Sequence, residues 1–166
     1  MCYYDLYESP QSRMLLVADG EGLSGVHFDG QKYLPQVESD WRRDARHAPL
    51  RQAKQELSEY FGGERKRFET VLAPAGTPFQ RSVWKAISTV GFGRTITYDE
   101  LARRAGCPGS ARAAGAATGR NPISIIVPCH RIVGSNGNLT GYAGGLDRKR
   151  ALLALESGIP DLLSAA

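Results

Sequence analysis

The sequence predicts an α/β protein of the α+β kind. A small N-terminal antiparallel sheet carrying one helix precedes a mainly helical C-terminal part with a helix-turn-helix and a Cys-His-Arg active site. Three observations predict this. Short β-type runs separated by turn compositions fill residues 2–29, apolar residues recur at three and four between Ala48 and Phe61, and helix-start signals crowd the chain after Pro74.

Taken in order, Tyr3–Glu8, Met14–Ala18 and Leu23–Phe28 read as strands, divided by Ser9-Pro10-Gln11-Ser12 and Asp19-Gly20-Glu21-Gly22. Residues 30–47 are polar and irregular, with Pro35 and Trp41. His27 and His47 lack metal-ligand spacing and read as surface or satisfied histidines. Leu50, Ala53, Leu57, Tyr60 and Phe61 make one face of a helix over Ala48–Phe61, stopped by Gly62-Gly63. Phe68–Leu72 reads as one more strand. Pro74-Ala75-Gly76 then marks a boundary between a supporting domain, 1–75, and a second domain, 76–166.

The second domain opens with Thr77-Pro78-Phe79-Gln80, a capping-box pattern, and Phe79, Val83, Ile87 and Val90 form the apolar face behind it. Thr97-Tyr98-Asp99-Glu100 is a second capping box, for a helix to about Ala105. Gly106-Cys107-Pro108-Gly109 breaks it, and Ser110 can cap a third helix from Ala111 to about Thr118. That third helix is nearly all Ala and Gly, with Arg112 its one long side chain. A major-groove reader carries several long polar side chains. This helix is slim enough to approach a minor groove with one Arg entering the duplex, or else it packs in a core with Arg112 in solvent.

Asn121 to Arg131 is the stretch of greatest chemical interest. Ile123–Val127 reads as a buried strand, and Pro128 ends regular pairing and delivers Cys129, His130 and Arg131 together. A thiol is a nucleophile only as thiolate, and a base or positive charge nearby promotes that form. Neighbours on an extended chain point apart, so a Cys129–His130 contact needs a turn or a bridging water. The plain alternative is an inert buried thiol. Downstream lie a loop, Gly134–Asn138, and a second Gly-rich segment, Thr140–Gly145, followed by a helix from Arg148 to about Ser157 with Asp147 as its cap. Glu156 shares the face of Leu152 and Leu153. It is either a boundary residue or a buried carboxylate in need of a partner such as His130.

Composition narrows the function. The chain has 166 residues, 42% hydrophobic and 23% charged, as soluble globular proteins do. No apolar run approaches the roughly 20 residues of a membrane span, and no signal peptide is expected. Three cysteines without C-x-x-C spacing suggest neither disulfides nor zinc and fit the cytoplasm. Between Leu101 and Arg150 stand eight Arg or Lys and a single acid, Asp147. That basic segment surrounds the Cys-His-Arg triplet and suits a polyanion such as nucleic acid, although a solvated basic face would look the same.

These motifs together resemble the O6-alkylguanine-DNA alkyltransferases. The resemblance rests on Thr97-Tyr98-Asp99-Glu100-Leu101-Ala102, Ala111-Arg112-Ala113, Asn121-Pro122, Pro128-Cys129-His130-Arg131 and Gly141-Tyr142-Ala143-Gly144-Gly145-Leu146, and covers about residues 77–158. It implies a DNA-repair protein without cofactor or metal, a monomer, with cooperative binding to DNA left open by the sequence. Such a protein binds duplex DNA through the minor groove, flips out O6-alkylguanine (or O4-alkylthymine) and transfers the alkyl group once, irreversibly, to its own cysteine.

By that resemblance Cys129 is the acceptor, His130 its base through a water, and Glu156 the residue orienting His130. Asn121 braces the active-site turn and Tyr98 meets the flipped base and its 3′ phosphate. Arg112 fills the gap in the stack, and Ser110, Ala111, Ala113, Ala114, Gly115, Thr97, Arg120 and Arg131 contact DNA. Tyr142, Ala143, Gly144 and the Ile132 carbonyl line the pocket. Two departures stand out: Ala143 replaces the family's pocket Ser, and Gly119-Arg120 differs from the expected order. The competing functions are a non-catalytic lesion binder, a methylation-sensing regulator and a Cys-His hydrolase.

Overall fold

The computed structural model describes residues 1–158. The chain forms two compact units: residues 1–75 with Pro122–Ser124, and residues 76–121 with 125 onward. Thus a three-residue piece of the later chain belongs to the first unit.

In the first unit, β1 (Tyr3–Glu8), β2 (Arg13–Ala18) and β3 (Leu23–Phe28) form an antiparallel meander. The turns use their side chains as expected of Ser and Asp: Ser9 Oγ accepts from Gln11 and Ser12, and Asp19 accepts from Glu21 and Gly22. A fourth strand falls in the segment read as irregular. β4 (Arg42–Arg43) pairs parallel with β1, making the order β3-β2-β1-β4. Two residues are too short for a period-2 pattern. Backbone bonds hold it, from Arg42 N–H to the Cys2 carbonyl and from Asp44 N–H to the Tyr4 carbonyl, and Arg43 adds a bond to the buried Asp5 of β1, which also accepts from Lys54.

Helix α1 (Ala48–Phe61) packs Leu50, Ala53, Leu57 and Tyr60 inward, the face the periodicity indicates, against a core that includes Met14, Leu16, Val26 and Phe28. Phe68–Leu72, expected as a strand, makes only one bridge, Leu23 with Leu72. The backbone N–H groups of Glu69 and Thr70 donate to the buried Glu56 carboxylate of α1, so they are not available to a neighbouring strand.

The Ile123–Val127 expectation also fails as a strand. Ile123 makes one bridge to Val26, and the Val26 and Ser124 N–H groups donate to Pro122 and Val26 carbonyls. Residues 124–126 then turn, with Ile125 at φ +71°. That conformation is strained for a β-branched side chain and is incompatible with an extended run. The apolar run is buried throughout, but as a turn.

The second unit is helical. Helix α2 (Pro78–Ile87) has the full reciprocal capping box of Thr77 and Gln80. Val83, Trp84 and Ile87 are buried with Val90 beyond the helix, whereas Phe79, expected among them, is 40% exposed in the first turn. A two-stranded parallel pair, β5 (Ile96–Thr97) with β6 (Ile132–Val133), leads into α3 (Tyr98–Arg104). Thr97 caps α3 by accepting from the Glu100 N–H, but the Glu100 carboxylate turns to Arg103 and Arg104, so the second box is half made.

Helix α4 (Ala111–Gly119) follows a turn in which Gly106 and Gly109 take φ of +83° and +84°. Ser110 occupies its N-cap position without a side-chain capping bond. Helix α5 (Leu146–Ser157) starts before the expected Arg148: Gly145 at φ +93° is its N-cap in place of Asp147, which lies inside the first turn beside Arg150. Among the described residues no helix is long and apolar enough to cross a membrane.

His27 on β3 corrects another expectation. It is buried, and its Nδ1 has no hydrogen-bond partner among the described residues. Burial pushes its pKa down to about 4. Unfolded, the ring titrates near ~6.5, so the unfolded chain binds a proton first as pH falls. Stability is therefore intact above about pH 6.5 and is lost between there and about pH 4, by at most ~3 kcal/mol from this group. Denaturant unfolding at pH 7 and pH 4.5 should show wild type losing about 2 kcal/mol more than His27→Leu; equal losses would refute the assignment.

Candidate active site

The second unit gathers its reactive groups around a single helical turn. Cys129–Arg131 form a 3-10 turn, with the Cys129 N–H donating to the Val127 carbonyl at 2.8 Å and Arg131 N–H to Pro128 at 2.9 Å. The segment is thus a turn and not an extended chain. All three side chains are buried: Cys129 is 5% exposed, His130 0% and Arg131 6%.

Asn121, at the end of α4, donates from Nδ2 to the Val127 carbonyl at 2.9 Å and to Cys129 Sγ at 3.1 Å. One amide thus fixes both the approach to the turn and the sulfur. Burial pushes the Cys129 thiol up, against the pull of the Asn121 donor, the Lys149 charge and the local N–H groups. At rest the group is a thiol and requires a base to become a nucleophile.

His130 Nε2 lies 2.6 Å from Glu156 Oε2 on α5. Since the carboxylate accepts, Nε2 carries the proton and Nδ1 holds the lone pair. Nδ1 has no hydrogen-bond partner among the described residues, which leaves it open to take a proton. Burial lowers the His130 pKa, opposed by Glu156. Glu156 itself is buried and also accepts from Arg131: Nε to Oε1 at 2.8 Å and Nη2 to Oε2 at 3.0 Å. The Gly93 N–H reaches Oε1 at 3.3 Å.

The reading of Glu156 as a buried carboxylate in need of partners therefore describes the structure, and the expectation for Arg131 does not. Arg131 was expected to contact DNA, yet its guanidinium is held inside the unit by Glu156 and by the Val90 carbonyl at 2.6 Å. Its Cζ lies 5.8 Å from the Phe92 ring centroid. A buried guanidinium with its fork engaged cannot reach a phosphate. Ala114 is likewise fully buried on α4 and offers no outward surface. Arg112, Ala113 and Arg120 are exposed, while Ser110, Ala111, Gly115 and Thr97 are partly so.

The outer wall of the site is the segment after β6. Tyr98 Oη approaches the Thr140 carbonyl at 3.5 Å, and burial raises the phenol pKa. Gly115 lies beside the Tyr98 ring, where a Cβ would stand 3.6 Å away. Tyr142 and Ala143 are half-buried and Gly144 is buried.

Lys149 is the residue that sequence reasoning missed. It is fully buried, and its Nζ donates to the carbonyls of Ile132 at 2.7 Å, Thr140 at 2.7 Å and Gly141 at 3.3 Å. Burial lowers it to about 8. The signal was present: Lys149, Leu152 and Glu156 share one face of α5 at spacings of three and four.

Fold and site together define a two-unit α/β protein that offers a short helix-turn-helix and a buried thiol followed in sequence by a histidine paired with a buried carboxylate. Family comparison places it further. Residues 2–74 match the 6-O-methylguanine DNA methyltransferase ribonuclease-like domain, and residues 78–158 match the DNA binding domain of the same name. The chain belongs to the 6-O-methylguanine DNA methyltransferase family.

It is 49% identical over 154 residues to the methylated-DNA–protein-cysteine methyltransferase of Methanosarcina acetivorans, covering 93% of this chain and 97% of that one. The namesake from Mycobacterium tuberculosis is 44% identical over 156 residues, 94% and 93% of the two chains. The crystal structure of M. tuberculosis OGT in complex with DNA superposes with a TM-score of 0.87 at 42% identity, over 98% of both chains.

The Asn121 bond to sulfur gives a direct test. Asn121→Ala removes a donor that favours the thiolate, so the pH midpoint of Cys129 alkylation by iodoacetamide, mapped by peptide mass, should rise by about one unit. An unchanged midpoint would show that the amide holds only the backbone.

Proposed function

We propose that this chain repairs DNA by moving the alkyl group of O6-alkylguanine in a duplex onto Cys129 Sγ, once per molecule. The observation that carries the reading is the buried thiol held by Asn121 beside a His130–Glu156 pair. The relatives named methylated-DNA–protein-cysteine methyltransferases support it.

The reaction is a displacement at the alkyl carbon. The S–C bond forms as the C–O6 bond breaks, and the electron pair passes to the guanine oxygen. The thiol proton goes through a water to His130 Nδ1, and a proton is returned to the departing base. Glu156 holds Nε2–H and so directs the Nδ1 lone pair to that task. The thioether product has no built-in route back to a thiol, which makes the transfer stoichiometric.

A guanine O6 inside a duplex is out of reach of a buried sulfur, so the base must leave the stack. Helix α4 suits this. Ala111, Ala113 and Gly115 leave it slim, and Arg112, which is exposed, is the side chain this reading assigns to the gap. In this reading Ser110, Thr97 and Arg120 meet the phosphates, and Tyr98 meets the base and its 3′ phosphate. Tyr142, Ala143 and Gly144 line the alkyl pocket. The Ile132 carbonyl, already accepting from Lys149, keeps a second lone pair for the base amino group. The lesion is O6-alkylguanine first and O4-alkylthymine second, and the protein acts as a cytoplasmic monomer.

Intact mass after mixing with duplex DNA containing O6-methylguanine should rise by about 14 Da, one methyl replacing one hydrogen, at one equivalent and on Cys129. Cys129→Ala should abolish this and keep DNA binding; tight binding of wild type without a mass change would favour a lesion-binding role. Arg112→Ala should slow repair of duplex DNA by roughly tenfold or more while leaving reaction with free O6-benzylguanine nearly unchanged. Equal losses on the two substrates would exclude Arg112 from flipping.

A further inference from the structure

Arg131 is the charged group that the transfer reaction leaves unexplained. A carboxylate that only oriented His130 would need one oxygen. Here both oxygens of Glu156 are also taken by the Arg131 fork, at 2.8 and 3.0 Å. The third guanidinium nitrogen is spent on the Val90 carbonyl, and the pair is almost wholly buried. A guanidinium cannot lose its proton in a protein, so the positive charge that Arg131 sets against Glu156 is permanent.

Consider the pocket without it. A buried carboxylate 2.6 Å from an imidazole, no longer bound by a guanidinium, stabilises the imidazolium. His130 would then be protonated before reaction and could take nothing from the thiol. We propose that Arg131 is a positioning residue that cancels the charge of Glu156, so that His130 stands neutral before transfer and readily releases afterwards the proton it takes from Cys129. This rests on the transfer reading above.

The groups facing His130 agree. Glu156 and Lys149 come from α5, Arg131 and Cys129 from its own turn, and Tyr98 of α3 faces Cys129. With the thiol, phenol and imidazole neutral, Arg131 and Lys149 outnumber Glu156 by one positive charge. That surplus opposes a resting imidazolium and favours a thiolate, as the downward pull of Arg131 and Lys149 on His130 reflects. Moving one proton from Sγ to Nδ1 creates a thiolate and an imidazolium together and leaves the total unchanged. When the alkyl group arrives on sulfur, the negative charge passes to the guanine. The imidazolium then faces a neutralised carboxylate, which holds its proton weakly.

Two measurements test this. In the wild type, nitrogen-15 NMR of the His130 ring should show a neutral imidazole protonated at Nε2 at pH 7; an imidazolium there would overturn the proposal without any variant. Second, transfer from free O6-benzylguanine to Cys129 is followed by intact mass from roughly pH 5 to 9. Arg131→Met should move the acid limb of the rate upward by about one unit or more, so that the rate falls roughly tenfold more at pH 6 than at pH 8.5. Arg131→Lys, which keeps the charge but not the fork, should return the limb to its wild-type position at a reduced rate. A rate reduced by the same factor at every pH in Arg131→Met would show a purely structural role and sink the proposal. Absence of any adduct on wild-type Cys129 is a separate result, which removes the transfer reading and this inference with it.

Discussion

The second unit depends on one buried carboxylate. Glu156 accepts from His130, from two nitrogens of Arg131 and from the Gly93 N–H. These bonds join α5, the Cys129–Arg131 turn and the loop after α2. Burying a charge is tolerable only when its lone pairs are filled and its charge opposed. The network that holds the unit together and the one proposed to serve the transfer are therefore the same atoms. Loss of any one partner would disturb both the packing of α5 and the basicity of the imidazole.

A second constraint is the path of the chain into that turn. Residues 122–124 belong to the first unit, with Ile123 bridged to Val26, and the chain re-enters the second unit at Ile125 with φ +71°. A β-branched residue is held in that region only where its surroundings leave no alternative. The bridge at Ile123 before it and the Asn121 bonds to Val127 and Cys129 spanning it supply those surroundings. The strained turn places the sulfur, and Asn121 keeps it placed.

Lys149 does for the outer wall what Asn121 does for the inner one. Its ammonium collects three carbonyls from the start and end of the Ile132–Gly141 segment, in place of a counter-ion. Main-chain carbonyls satisfy the three donors of an ammonium without neutralising it. The charge remains available to the sulfur nearby, and the glycine-rich wall gains an anchor that its own side chains cannot provide.

The sequence by itself determined the elements whose cause is local. The meander turns at Ser9 and Asp19, the α1 face and the Thr77–Gln80 box were legible, because spacing, turn chemistry and side-chain type decide them. Only the tertiary structure decided the rest. Ile123–Val127 reads as a strand from composition, yet long-range contacts bend it into a turn. The N–H groups of Glu69 and Thr70 are captured by a side chain 13 and 14 residues away. The family resemblance assigns Arg131 to DNA, whereas Glu156, 25 residues on, holds its guanidinium inside the unit. In each case the deciding partner is distant in sequence, so no local pattern could reveal it.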